Sequence, residues 1–249
     1  VAPRAIGVFL GFQATFHPFM GYPAYKAIAD KPFEERLAIM KTEAFKAEIL
    51  SQETDKLSGP GSSIPPLADM LMEHIDFVAE KFFQLGDPPD YEQPSERSLA
   101  AQARAEDKPL MQKIYEVLLE RDGQELIYLP LYNYTELSYE NVLKMMRHPQ
   151  ALYGLSDGGA HVGTVCDASF PTYMLTHWTR DRTRGEKIAL EEAVRMLTGA
   201  QADFMGMSDR GYVRAGLKAD LNVIDLDALQ LEPPHMVADL PAGGQRLLQ

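Results

Sequence analysis

Cysteine occurs once, at Cys166, so the chain can form no intrachain disulfide and no cysteine-rich zinc module. That residue reads most simply as a small buried hydrophobe. Positive charge is short as well: 24 Lys and Arg stand against 36 Asp and Glu, a net charge of −12, which removes the basic face that a phosphate backbone requires. Nucleic-acid binding is disfavoured. No apolar run reaches the roughly 20 residues that cross a bilayer, and no signal-type segment follows Val1, so a soluble, cytoplasmic protein without a membrane partner is expected. The chain opens on Val rather than an initiator Met, which points to a piece of a longer protein.

What is present is globular: 249 residues, 45% hydrophobic, are enough for a sizeable core. Apolar or β-branched runs bounded by Gly, Pro or polar residues predict strands at AIGVFLGF (5–12), ELIYLPLY (125–132), ALYGL (151–155) and DLNVID (220–225). Helical spacing joins Phe33, Leu37, Met40, Phe45 and Ile49 over 33–50, with Pro32 in the first turn, and joins Leu110, Ile114, Val117 and Leu118 over 108–121. A short helix capped by Ser138 carries Val142, Leu143 and Met146 and stops at His148-Pro149, where the histidine is expected to face the helix dipole. A further helix is expected over 186–198. Residues 57–96, rich in Pro, Gly, Ser and Asp, read as an irregular insertion around one short apolar helix. Strands alternating with helices predict an α/β fold with a parallel sheet, whose ligands lie at the carboxyl ends of the strands.

One stretch suggests chemistry. In YGLSDGGAHVG (153–163) a predicted strand runs into Ser156, Asp157, Gly158 and Gly159, with His161 shortly after. Paired glycines let a ligand or backbone approach closely, so the Asp157 carboxylate and the His161 ring can share one small space. Taken alone, an SDGG turn fits a turn-forming or helix-capping aspartate about as well as a catalytic one.

The run MMRHPQALYGLSDGGAHVGTVCDASFPTYMLTHWTRDRTRG, followed by RMLTGAQADFMGMSDRGYVRAGLKADLNVIDLDAL, resembles the C-terminal part of the amidohydrolase superfamily, in its N-acyl-D-amino-acid deacylase (D-aminoacylase) branch. VAPRAIGVFLG resembles the barrel strand that precedes the one bearing the aspartate. The resemblance implies a distorted TIM (β/α)₈ barrel with a zinc or other divalent metal at its mouth. Residues 1–206 would be the C-terminal part of that barrel with an insertion at about 57–124, and 207–249 a partial return to a small β-sandwich. Asp157 would touch the metal and act as the acid–base residue. Gly158 and His161 would line the substrate pocket, and Arg4 would bind the α-carboxylate of an N-acyl amino acid, with Arg180 and Arg182 weaker candidates for that substrate contact.

Only two or three credible barrel strands can be counted, so the barrel is incomplete. Family members carry an HxH pair on the first strand. This chain has none, and its six histidines (His17, His74, His148, His161, His177, His235) are scattered. The expectation is a fragment that lacks the main metal ligands, holds no metal tightly alone, and pairs with the missing N-terminal part or with a second copy. A cyclic amidase of the same superfamily, hydantoinase-like or dihydroorotase-like, and a non-enzymatic interaction module stay open as alternatives.

Overall fold

The alternation of large apolar residues in the first and second predicted strands builds the centre of the molecule. The structure is a computed structural model and describes residues 1–62, 64–155 and 161–249. In chain order the elements are β1 (Ile6–Leu10), α1 (Pro23–Lys26), α2 (Phe33–Met40), α3 (Glu43–Leu50), α4 (Pro66–Glu73), α5 (Ile75–Val78), β2 (Phe83–Gln84), α6 (Leu99–Ala105) and α7 (Leu110–Gly123). They continue with β3 (Ile127–Tyr132), α8 (Glu140–Met146), α9 (Phe170–Thr176), α10 (Leu190–Leu197), α11 (Gly199–Phe204), β4 (His235–Leu240) and β5 (Gly244–Leu248). Phe9, Phe83 and Tyr128 pack on one face of the sheet with α8, α9 and α10, whereas Leu10, Ile127 and Leu129 pack on the other with α1, α3, α6 and α7. The period-2 alternation of each strand thus feeds two apolar cores from one sheet.

The sheet corrects the predicted topology. Its order is β1-β3-β2, and both pairings are antiparallel rather than parallel. The parallel reading assumed that each strand returns through one helical crossover. Here seven α-helices lie between β1 and β3 among the described residues, and a connection of that length leaves strand direction free. ALYGL is not a strand, because Leu155 takes a left-handed φ of 71° that interrupts extended backbone. Its start is nonetheless paired: the Val1 amine donates to Leu152 O, and Gly154 N donates to Val1 O at 2.9 Å, the bonding pattern of a parallel pair. DLNVID is not a strand either. Its Leu221, Val223 and Ile224 are exposed, and the strands described beyond residue 206 are the β4–β5 hairpin alone.

The helices follow their apolar spacing with local adjustments. The stretch predicted as one helix over 33–50 is two, because Thr42 takes an extended ψ of 138° and its hydroxyl accepts from Phe45 N at 3.3 Å, starting α3 afresh. Leu37, Met40, Phe45 and Ile49 are buried as expected. Tyr139 rather than Ser138 stands at the cap of α8, although Ser138 Oγ still accepts from Glu140 N at 3.3 Å. The 57–96 segment holds α4, α5 and β2, and Asp69 ties its entrance by accepting from Leu57 N and Ser58 N. Among the described residues no helix is long and apolar enough to cross a membrane.

Candidate functional site

A cleft of about 350 Å³ opens between the Pro88–Glu92 loop, the turn that extends α9 through His177–Asp181, and Gln230-Leu231. Its floor is an ion network centred on Glu92, which is 2% exposed. One Glu92 oxygen accepts from Tyr139 N at 2.8 Å and Arg182 Nη2 at 3.0 Å, and the other from Arg182 Nε and His177 Nε2, each at 3.0 Å. Burial alone would push this carboxyl's pKa up. The hydrogen bonds from His177, Arg182 and Tyr139, with the Arg182 charge, pull it down to about 2. An ionised Glu92 can only accept, so the network assigns the proton to His177 Nε2.

Arg182 is the other half of this floor. It is 1% exposed, lies over the Trp178 ring with its carbon 4.6 Å from the centroid, and donates also to Glu186 O at 2.6 Å and Glu140 at 2.8 Å. His177 stacks on Tyr173 with ring centroids 4.5 Å apart, which fixes the imidazole plane. A buried carboxylate that holds one ring nitrogen of an imidazole is the arrangement by which proteins orient a histidine, so the site can position His177 against a ligand.

The residues singled out from the sequence do not gather in this cleft. Asp157 and Gly158 lie outside the described residues. His161 is exposed, with a φ of 54°, and its carbonyl accepts from Thr164 N and Val165 N. Arg180 does line the cleft, but its guanidinium is committed to Asp181 at 2.6 and 2.9 Å and to the carbonyls of Leu226, Asp227 and Leu229.

Arg4 does not line this cleft. It precedes β1 and is fully buried, held between the Tyr91 and Phe170 rings at 4.0 and 4.2 Å and donating to Cys166 O and Ser169 Oγ at 2.7 and 3.2 Å. No carboxylate lies within 4.0 Å of it among the described residues, so aromatic faces and carbonyls carry the stabilisation of its charge. Its place among the described residues is in the core. Cys166 is buried, as expected, and burial pushes its thiol up to about 11. His148 is exposed at the end of α8, its Nδ1 accepting from Gln150 N.

Glu92 and His177 were missed by sequence reasoning. Glu92 sits in the segment read as an irregular insertion, and its partners Tyr139, His177 and Arg182 are 47 to 90 residues away. No local spacing could have joined them. The single usable signal was Arg182 in TRDRTRG, an arginine just after an apolar helix.

Among the described residues, no group of three or more His, Cys, Asp and Glu side chains is placed to hold a metal ion. These residues therefore do not by themselves fit the divalent metal that the resemblance implies. The sequence profile of the amidohydrolase family matches residues 76–243. Neither a curated protein nor a solved structure gives a match to the chain.

Proposed function

Because the chain belongs to the amidohydrolase family, whose profile covers more than half of it, we propose that it forms part of a hydrolase of amide C–N bonds in the N-acyl-D-amino-acid deacylase branch. The observation that carries the branch is the pairing of SDGG at 156–159 with DRGYVRAGLKADLNVIDLD at 209–227, both inside the matched region. Parallel-type bonding between Val1 and the 152–154 segment supports the reading, since it sets Val1, ahead of β1, beside the segment that leads to Asp157. In this reading residues 1–206 belong to a barrel of the metal-dependent hydrolase type, and 207–249 begin a second, smaller β domain.

Asp157 is the acid–base residue of the proposed reaction. Its carboxylate takes a proton from the attacking water and returns it to the leaving nitrogen, the role a positioned carboxylate performs in amide hydrolysis. Zinc or another divalent ion is the cofactor this branch implies. The described residues do not assemble its ligands.

The test is turnover of the whole protein on N-acyl-D-amino acids set against cyclic imides. Hydrolysis of the linear amides is expected, with Asp157→Asn reducing kcat by about 10²–10⁴ while leaving the fold in place. Preference for cyclic imides moves the protein to the hydantoinase-like branch. Full turnover by the Asn variant removes Asp157 from the chemistry.

A further inference from the structure

The charges of the 350 Å³ cleft do not cancel, and the remainder is a single arginine. Of the three carboxylates on its walls, Glu92 is paired with Arg182 at 3.0 Å, Asp181 with Arg180 at 2.6 Å, and Asp90 with Arg97 at 3.5 Å. Arg184 has no carboxylate within 4.0 Å among the described residues. Its Nη1 alone is fixed, donating to Glu92 O at 2.8 Å, Leu137 O at 3.0 Å and, at 3.3 Å, the Tyr134 hydroxyl. Among the described residues its Nε and Nη2, and the neighbouring Thr183 hydroxyl, have no hydrogen-bond partner. One edge of the guanidinium is thus anchored in the protein and the other edge is left over. An immobilised guanidinium edge has already lost the rotamer entropy that a free surface arginine gives up on binding, and its geometry suits two parallel bonds to a carboxylate.

The rest of the cleft limits what that carboxylate can carry. Pro88, Pro89 and Leu231 give it an apolar wall, against which a short aliphatic chain fits well within the volume. The Pro pair is stiff, so this wall is preformed. His177, its Nε2 held by Glu92, stands on the same lining with Nδ1 unpartnered among the described residues, and its ring reports directly on what enters.

We propose that this cleft binds a small aliphatic carboxylate, its head on Arg184 and Thr183 and its short tail against Pro88, Pro89 and Leu231. The inference is independent of the proposed hydrolysis, because it concerns binding alone and uses neither Asp157 nor a metal.

The His177 ring resonances of the 249-residue chain, assigned with His177→Gln, are followed by NMR while sodium butyrate is added at constant ionic strength. A saturable shift with a Kd on the order of 1–10 mM is expected, and butyramide, which has the tail without the charge, should produce none. Arg184→Gln should weaken the titration at least about tenfold. Because Arg184 also holds three acceptors, Thr183→Glu serves as the second variant. Thr183 is exposed, so its change spares the core, and the new carboxylate should occupy Arg184 and abolish the shift. Arg147→Gln, which removes an exposed pair with Glu186, should leave butyrate binding unchanged. A linear, unsaturated response to butyrate overturns the proposal. So does equal binding of inorganic phosphate, which would mark a general anion effect, or full binding by Thr183→Glu.

Discussion

Replacing Glu92 by Gln is the sharpest test of what holds the two halves of the chain together. The carboxylate accepts four hydrogen bonds, two of them from Arg182, and both side chains are almost wholly out of water. Gln keeps the shape but turns one acceptor into an NH₂ that faces donors, leaving the Arg182 charge buried with only Glu140 beside it. Breaking one side of a buried pair costs about 3–5 kcal/mol.

The pKa gives a second route to the same quantity. Glu92 is lowered from about 4.5 to about 2, a difference of about 2.5 units, or about 3 kcal/mol of stability. A depressed carboxyl pKa contributes this stability above pH 4.5 and loses it as pH falls from 4.5 towards 2. In thermal unfolding at pH 7 followed by circular dichroism, Glu92→Gln should lower Tm by roughly 6–20 °C, at about 2–4 °C per kcal/mol for a chain of this size. The double variant Glu92→Met, Arg182→Met should recover much of the loss, since it removes both buried charges together. A Glu92→Gln protein melting within about 1 °C of the wild type would refute the network as an energetic centre.

Other perturbations probe separate sites. Burial, reinforced by the Arg36 charge, lowers His17 to about 3, so the native state keeps it neutral while the unfolded chain protonates it below about 6.5. Stability should therefore fall by about 1.4 kcal/mol per pH unit between pH 6 and 4.5, before Glu92 titrates, and His17→Asn should flatten that slope in urea unfolding. At Gly7 an added Cβ would lie 2.4 Å from Leu129 O and 2.7 Å from the Tyr128 ring, so Gly7→Ala should prise β1 from β3 and cost at least about 1–3 kcal/mol in the same assay. Thr42→Ala removes the cap of α3 and should cost about 1 kcal/mol, whereas Thr42→Ser should cost little.

The sequence by itself determined which segments are apolar enough to be buried and with what period. That was sufficient for β1, β3, the buried faces of α2, α3 and α7, and the family, because each rests on residues close together in the chain. Short-range pattern also carried the SDGG reading. It could not decide strand direction, since period 2 is the same for parallel and antiparallel pairs. Nor could it foresee that a left-handed Leu155 would interrupt ALYGL. Tertiary structure decided the fate of the charged residues. Arg4, a candidate carboxylate binder in the sequence, lies between the Tyr91 and Phe170 rings, while Glu92, in an apparently featureless loop, became the anchor of Arg182 and His177. A charge is stable in a core only where partners converge on it from distant parts of the chain, and that convergence is a property of the packed molecule and of no single stretch of sequence.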